Sequence, residues 1–166
     1  NILEKDMNQA IDYFVKAASL DDTYAMKRLG YIYYAGDDVE EDIAEGILWK
    51  EKALDIGDTE AGLDLGMIFN DGIKVDVDYE KAFHYYEKTA ELGDNVSMNF
   101  VGYYYFYGQY VEQDYEKAFE WFLKSAELGL QSSMSWVSDM YRDGIGVEVN
   151  AEKANEWYLK MQQAEE

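Results

Sequence analysis

The sequence predicts an all-α protein: a right-handed α-α solenoid of four 36-residue helix-pair repeats plus a C-terminal capping helix. The chain aligns with itself at a shift of 36 residues without insertion or deletion. Glycines recur at the same place in every copy, and the 166 residues include no proline. Each copy is too small to bury its apolar side alone, so successive copies must stack. We therefore predict a single repeat domain over residues 1–166.

The first helix of each copy is expected to begin at a polar residue, whose side chain accepts from the free N–H groups of the first turn. These residues are Asp6, Asp42, Asp78, Asp114 and Asn150. Gln9 and Glu45 add a capping box in the first two copies. The helices are expected to end in the left-handed conformation, at Asp21, Gly57, Gly93 and Gly129. This places the repeat units at residues 6–41, 42–77, 78–113 and 114–149, and the capping helix at 150–163.

The second helix of each copy carries apolar residues with the spacing of one helical face. It is expected to start near Asp22, Asp58, Asp94 and Gln131, and to end at Gly36, Gly72, Gly108 and Gly144. In the first copy, Met26, Leu29, Gly30 and Tyr33 form the predicted buried stripe. Gly66 and Gly102 each cost about 1 kcal/mol of helix propensity, which predicts that another helix packs closely there.

The two ends of the chain differ in character. The sequence starts at Asn1, within a turn of the repeat, which predicts a processed chain or a piece of a longer one. The last helix has Asn155 where the other copies are apolar, and its tail is polar. That composition is typical of a terminal cap that faces water.

The composition excludes several classes of function. The net charge is −21, from 35 acidic residues against 14 lysines and arginines, so we expect neither nucleic acid nor an anionic membrane as a partner. No apolar run approaches the roughly 18 residues of a membrane span. The absence of cysteine excludes thiolate metal sites and cysteine nucleophiles. The negative charge serves solubility, or it attracts a basic or amphipathic protein or peptide.

Two linked motifs identify a family resemblance. The pattern A-x-x-x-L-G-x-x-Y-x-x-G occurs as Ala25, Leu29, Gly30, Tyr33 and Gly36, and again as Ala61, Leu65, Gly66, Phe69 and Gly72. The pattern D-x-x-x-A-x-x-W-x-x-K-A follows as Asp42, Gly46, Trp49, Lys52 and Ala53. Together they resemble the Sel1-like repeat (SLR) family of the tetratricopeptide-repeat-like superfamily. The turns depart from the family pattern, because Asp38, Lys74 and Tyr110 replace its second glycine.

The resemblance implies an adaptor protein whose second helices line a concave groove. The candidate partner-binding residues are the non-core positions of those helices: Tyr24, Lys27, Tyr31, Tyr34, Leu63, Met67, Asn70, Asn99, Tyr103, Phe106, Tyr107, Ser135, Asp139 and Arg142. The groove would be aromatic and apolar in copies one to three, and polar in copy four. The aromatic cluster from Tyr103 to Tyr107 leaves three interpretations open: packing against neighbouring helices, a peptide or partner helix, or a stacked small molecule or sugar.

No residue pattern indicates catalysis, a metal or a cofactor. His84 is the only histidine and is expected to be a solvated helix residue. The alternating acids of residues 76–80 lack the glycine of a calcium loop. We predict a non-catalytic scaffold that binds a peptide or partner helix. One alternative is a structural segment of a longer array, which apolar surface exposed from Ile2 to Ala10 would favour. The other is a hydrolase with two converging groove carboxyls, such as Asp139 and Asp143, one with a raised pKa.

Overall fold

The structure, a computed structural model, describes residues 2–36 and 39–164, with side chains from residue 7 onward. Those residues form nine α-helices and no strand. The helices are α1 (Ile2–Ala18), α2 (Thr23–Ala35), α3 (Ile43–Asp55), α4 (Thr59–Asp71), α5 (Tyr79–Glu91), α6 (Asn95–Tyr107), α7 (Tyr115–Glu127), α8 (Gln131–Asp143) and α9 (Ala151–Gln163). The predicted alternation of first and second helices is therefore present, and α9 ends at the residue predicted for the capping helix.

Most of the helices begin at the predicted caps. The Asp42, Asp78, Asp114 and Asn150 side chains each accept from the backbone N–H three residues on, at 2.9–3.0 Å. Asp22, Asp58 and Asp94 cap the second helices in the same way, at 2.6–2.9 Å. The eighth helix differs, because its N-cap is Leu130, which offers no side-chain hydrogen bond.

The prediction for the first cap is wrong. Helix α1 begins at Ile2, so Asp6 lies inside the helix instead of at its start. The residues before Asp6 are good helix formers with no breaker among them, so the helix extends past the repeat boundary. The side chains of residues 2–6 lie outside the described residues, and with them most of the predicted apolar end from Ile2 to Ala10.

The turns keep the repeat geometry where glycine is replaced. Lys74 and Tyr110 have φ values of 65° and 66°, close to the 67° of Gly146 in the equivalent turn. A residue with a side chain is strained in the left-handed conformation, so other contacts of the turn must stabilise the backbone there. The Lys74 ammonium does so by donating to the Tyr34 and Ala35 carbonyls at 2.8 and 3.1 Å and by pairing with Glu41. Asp38, the third such position, lies outside the described residues.

The chain divides into two compact units, unit 1 over residues 1–77 and unit 2 over residues 78–166. The division coincides with a predicted repeat boundary, and the prediction of one repeat domain stays a prediction. In unit 1, α2 packs between α1 and α3, and α3 packs on α4. In unit 2, α6 packs between α5 and α7, and α8 packs between α7 and α9. Leu29 and Leu65 are fully buried in unit 1, as are Val101 and Val137 in unit 2.

Lysines cover tryptophan rings on three of the first helices. Each lysine lies three residues after its tryptophan, which places the two side chains on one helical face. The ammonium-to-ring distances are 3.8 Å for Lys52 on Trp49, 4.3 Å for Lys124 on Trp121 and 4.2 Å for Lys160 on Trp157. These cation–π contacts keep the rings partly shielded at the surface of the first helices.

Candidate functional site

In unit 1, the second helices α2 and α4 bring several predicted binding residues together around one cavity. Its volume is about 300 Å³. The lining residues are Tyr31, Tyr34, Lys50, Asp64, Met67, Ile68, Asp71 and Ile73. Tyr31, Tyr34 and Met67 were predicted as partner-binding residues. We call this space the unit 1 cavity.

The two tyrosines of the unit 1 cavity have different roles. Tyr31 leaves 53% of its surface exposed. Tyr34 is half-buried and donates its hydroxyl hydrogen to the Ile73 carbonyl. Burial raises the pKa of Tyr34, while the nearby Lys74 ammonium opposes that shift. Tyr34 is therefore a fixed wall of the cavity, whereas Tyr31 stands at its edge.

The unit 1 cavity contains an ion pair that the sequence analysis missed. Lys50 is only 7% exposed, and its ammonium lies 2.6 Å from Asp64 Oδ2. The signal was present in the repeat, because the positions equivalent to Lys50 are all aromatic: Phe14, Tyr86, Phe122 and Tyr158. Two of these rings, Tyr86 and Phe122, are fully buried, so a lysine at the equivalent position places a charge inside the protein, and such a charge needs a partner.

The remaining predicted residues of unit 1 differ in availability. Tyr24 is exposed and Leu63 is half-buried. Lys27 pairs with Glu60 and with Asp58, and the hydrogen bond to Glu60 is the main cause of its raised pKa. Asn70 donates to Asp71 at 2.8 Å. Lys27 is thus committed to an ion pair, whereas Tyr24 presents its ring to solvent.

In unit 2, the predicted aromatic residues form a partly packed cluster with Trp136 at its centre. The Trp136 ring stacks on Phe122 with centroids 5.0 Å apart and meets Tyr103 edge-on at 5.3 Å. Its indole N–H donates to the Tyr103 hydroxyl at 2.9 Å. Phe106 packs against Trp136 at 4.8 Å. We call Tyr103, Phe106, Phe122 and Trp136 the Trp136 cluster.

Tyr107 stands outside the Trp136 cluster. Its ring stacks on Tyr103 with centroids 6.1 Å apart, yet 60% of its surface is exposed. Packing against neighbouring helices therefore accounts for Tyr103 and Phe106 but leaves Tyr107 available.

The prediction that Asn99 faces a partner is wrong. Asn99 is buried and donates through Nδ2 to the Ser133 hydroxyl at 2.6 Å. Ser133 donates to Ser125, which donates to the Asn95 carbonyl, both at 2.7 Å. A buried polar group must find its hydrogen-bond partners inside the protein. The side-chain amide of Asn99 is used in this way and does not face a partner.

The polar residues of α8 form a closed ion-pair cluster. Arg142 lies 2.6 Å from Asp139 and 2.8 Å from Asp143, while Ser135 is half-buried on the same helix. The hydrogen bond from Arg142 lowers the pKa of Asp143. A catalytic acid needs a raised pKa, whereas that of Asp143 is lowered and Arg142 already pairs with both carboxylates, so nothing at this pair favours the hydrolase alternative.

No described helix is long and apolar enough to cross a membrane. Within the same part of the chain, no group of three or more histidines or acids is arranged to hold a metal ion.

Comparison with known proteins identifies the family. The family model for the Sel1 repeat matches residues 1–22, 23–58, 60–94, 95–130 and 131–161. The chain belongs to the Sel1 repeat family. Its fold class is accordingly the predicted all-α helical-repeat solenoid. Sel1 repeat proteins are generally protein–protein interaction scaffolds.

Several solved structures resemble this one. A Sel1 repeat protein from Oxalobacter formigenes matches with 30% identity and a TM-score of 0.77, over 93% of this chain and 63% of that one. A protective antigen of uropathogenic Escherichia coli with an SLR fold matches with 31% identity and a TM-score of 0.82, over 93% of this chain and 33% of that one. Helicobacter pylori cysteine rich protein B matches with 25% identity and a TM-score of 0.56, over 78% of this chain and 93% of that one.

This Sel1 repeat chain covers less than two thirds of the first two of those proteins. The comparison with curated proteins gives no match.

Proposed function

We propose that this Sel1 repeat chain is a non-catalytic scaffold that binds a peptide or partner helix on the exposed sides of its second helices. The observation that carries the proposal is the exposure of tyrosine rings there. Tyr31 in unit 1 and Tyr107 in unit 2 each expose more than half of their surface to solvent. Both lie on helices with well-formed left-handed C-caps, at Gly36 and Gly108.

Exposed tyrosines on a rigid helix suit protein binding. A tyrosine ring buries a large area, carries a polar hydroxyl and has few rotatable bonds, so it loses little entropy on binding. The stacking of Tyr107 on Tyr103 holds the ring in one orientation before a partner arrives. Preorganisation of this kind lowers the entropic cost of association.

The net charge of −21 favours a basic or amphipathic partner. A strongly acidic surface increases the encounter rate with a cationic segment, and this effect weakens as salt screens the charges. The predicted concave groove would add to this by surrounding an extended segment with negative potential. The partner contacts themselves would come from the tyrosines.

The proposal is tested by affinity capture with matched tyrosine variants. The immobilised wild type is compared with Tyr31→Ser and Tyr107→Ser. These variants remove an exposed ring without touching the Tyr103–Trp136 hydrogen bond. Tyr13→Ser is the control, since Tyr13 is 63% exposed but lies on the first helix α1.

We expect one or more captured proteins to be lost with Tyr31→Ser or Tyr107→Ser and kept with Tyr13→Ser. Circular dichroism must show the same helicity for all four proteins. If the captured proteins are the same for every variant, the second helices are not the binding surface.

A further inference from the structure

The unit 1 cavity and the Trp136 cluster occupy equivalent places in two copies of the repeat. The positions correspond two repeats apart, in four pairs: Tyr31 with Tyr103, Tyr34 with Phe106, Lys50 with Phe122, and Asp64 with Trp136. Each place therefore has two aromatic walls on the second helix, Tyr31 and Tyr34 in unit 1 and Tyr103 and Phe106 in unit 2. The two places differ at the other two positions, where unit 1 has the ion pair of Lys50 and Asp64. Unit 2 shows how such walls are filled.

In unit 2, a single indole fills the space between these walls. The Trp136 ring lies parallel to Phe122, with an interplanar angle of 6°, and perpendicular to Tyr103, with an angle of 87°. These are the offset-stacked and edge-to-face arrangements that aromatic rings prefer. The indole N–H also has an acceptor in the Tyr103 hydroxyl. The tryptophan thus satisfies both the packing and the hydrogen bonding of this place.

In unit 1, the equivalent side chain is too short to do this. Asp64 turns its carboxylate to Lys50 and keeps 48% of its side chain exposed. The space between Tyr31, Tyr34 and Lys50 remains as a cavity of about 300 Å³, at the lower end of the range for ligand pockets. The lysine stem lies where Phe122 lies in unit 2 and brings its ammonium to the cavity wall.

We propose that the unit 1 cavity binds an aromatic side chain of a partner polypeptide, tryptophan above all, in the place that Trp136 takes in unit 2. This inference rests on the proposed function, and it names the side chain that the scaffold recognises. The incoming ring lies over Lys50, where a cation–π contact replaces the stacking on Phe122, and meets the Tyr31 ring at its edge. The Tyr31 hydroxyl accepts from the indole N–H, as the Tyr103 hydroxyl does in unit 2.

The charges around the unit 1 cavity select the sequence next to the aromatic residue. Asp64 and Asp71 both line the cavity, whereas Lys50 is its only lining cation among the described residues. Because Lys50 is paired with Asp64, Asp71 leaves the cavity lining with a net negative charge. A lysine or arginine beside the aromatic residue of the partner therefore finds an opposite charge, and an acidic neighbour is repelled.

The test uses defined tripeptides and the intact chain. The probes are acetyl-Lys-Trp-Lys-amide, with acetyl-Lys-Leu-Lys-amide and acetyl-Glu-Trp-Glu-amide as matched controls. Binding is followed by ¹⁵N–¹H correlation spectra of the labelled protein. We expect shifts of the backbone amides around Tyr31, Tyr34 and Met67 with the first probe, and binding at least about tenfold weaker with either control.

Two variants make the test specific. Lys50→Phe/Asp64→Trp restores the ring pair found in unit 2, so the protein's own indole fills the unit 1 cavity and probe binding falls by about tenfold or more. Trp136→Ala empties the equivalent place in unit 2, so the same probe gains shifts around Tyr103 and Phe106. The second variant keeps the test decisive if the first fails to fold.

The proposal is overturned if the wild type shows no shifts at the cavity, or if the leucine peptide binds equally well. It is also overturned if the filled variant binds unchanged, or if Trp136→Ala gains no second site. These results leave the scaffold proposal standing when partner capture still depends on Tyr107. The scaffold proposal itself fails if the wild type and the tyrosine variants capture the same proteins.

Discussion

Replacing Gly46 by alanine is predicted to destabilise the protein, although the other four copies have alanine at this position. Those residues are Ala10, Ala82, Ala118 and Ala154. By the repeat alone, Gly46→Ala is a consensus change that should stabilise α3 by about 1 kcal/mol through helix propensity. The structure predicts the opposite sign.

The reason is the close approach of α2 to α3 at Gly46. A Cβ atom added there would lie 2.7 Å from the Tyr34 backbone nitrogen, 2.8 Å from the Tyr34 Cβ and 2.9 Å from the Gly30 carbonyl oxygen. Two of these atoms belong to the backbone, so no rotamer change relieves the contact and the two helices must separate. Overpacking in a core costs about 1–3 kcal/mol, and contact with backbone places Gly46→Ala near the upper end.

Subtracting the propensity gain of about 1 kcal/mol leaves a net loss of about 2 kcal/mol. For a chain of this length, that corresponds to a lowering of Tm by about 4–8 °C. The measurement is thermal and urea unfolding followed by circular dichroism at the helical band. The control is Ala82→Gly at the equivalent place in α5, where Ala82 is fully buried. This control should also lose about 2 kcal/mol, through propensity and one buried methyl group.

A rise in the unfolding midpoint of Gly46→Ala would refute the reasoning. It would mean that α2 and α3 can move apart without loss, and that the glycine is not required by packing. Equal and opposite effects of Gly46→Ala and Ala82→Gly would lead to the same conclusion, because propensity alone would then explain both.

Two further predictions concern helix N-termini. Leu130→Asp should stabilise the protein by about 0.5–1 kcal/mol, because α8 has no side-chain cap bond and Asp94 supplies one at the equivalent place in α6; a lower urea midpoint would show that burial of Leu130 matters more. The pKa of Asp114 is lowered, chiefly because its carboxylate accepts from the backbone N–H of Lys117. The ionised carboxylate therefore stabilises the folded protein at neutral pH, and this contribution is lost as the pH falls through the folded-state pKa, below about 4. The stability difference between the wild type and Asp114→Asn should therefore be constant above about pH 5 and vanish in acid, and a difference that is independent of pH in urea titrations from pH 7 to pH 2.5 would contradict this.

The repeat made the helices and their ends predictable from sequence. Asp42 and Asp78 recur at the same place, and a residue that recurs at a helix start has a local role that needs no knowledge of the tertiary structure. The same holds for Gly36 and its equivalents, since the left-handed conformation is a local property. Helix α1 departs from the rule because the chain before Asp6 is helix-forming, which the repeat period does not reveal.

The side-chain partners were less predictable, because they depend on which residues face one another across helices. Asn99 occupies a non-core position by helical period, yet it is buried and donates to the Ser133 hydroxyl on the neighbouring α8. Lys50 occupies a core position, and its partner Asp64 lies on another helix. A comparison of the copies for exceptions, rather than for agreement, would have revealed Lys50.

The lysine-covered rings on the first helices have a spectroscopic consequence. Unit 1 contains a single tryptophan, Trp49, whereas unit 2 contains Trp121, Trp136 and Trp157. Tryptophan fluorescence is therefore dominated by the second half of the chain. Melting of the first half changes only one tryptophan, the half-buried Trp49, whose ring lies beneath the Lys52 ammonium. Trp136 packs against the core of unit 2, so a chain that retains tryptophan at position 136 alone would carry its own optical probe of that packing.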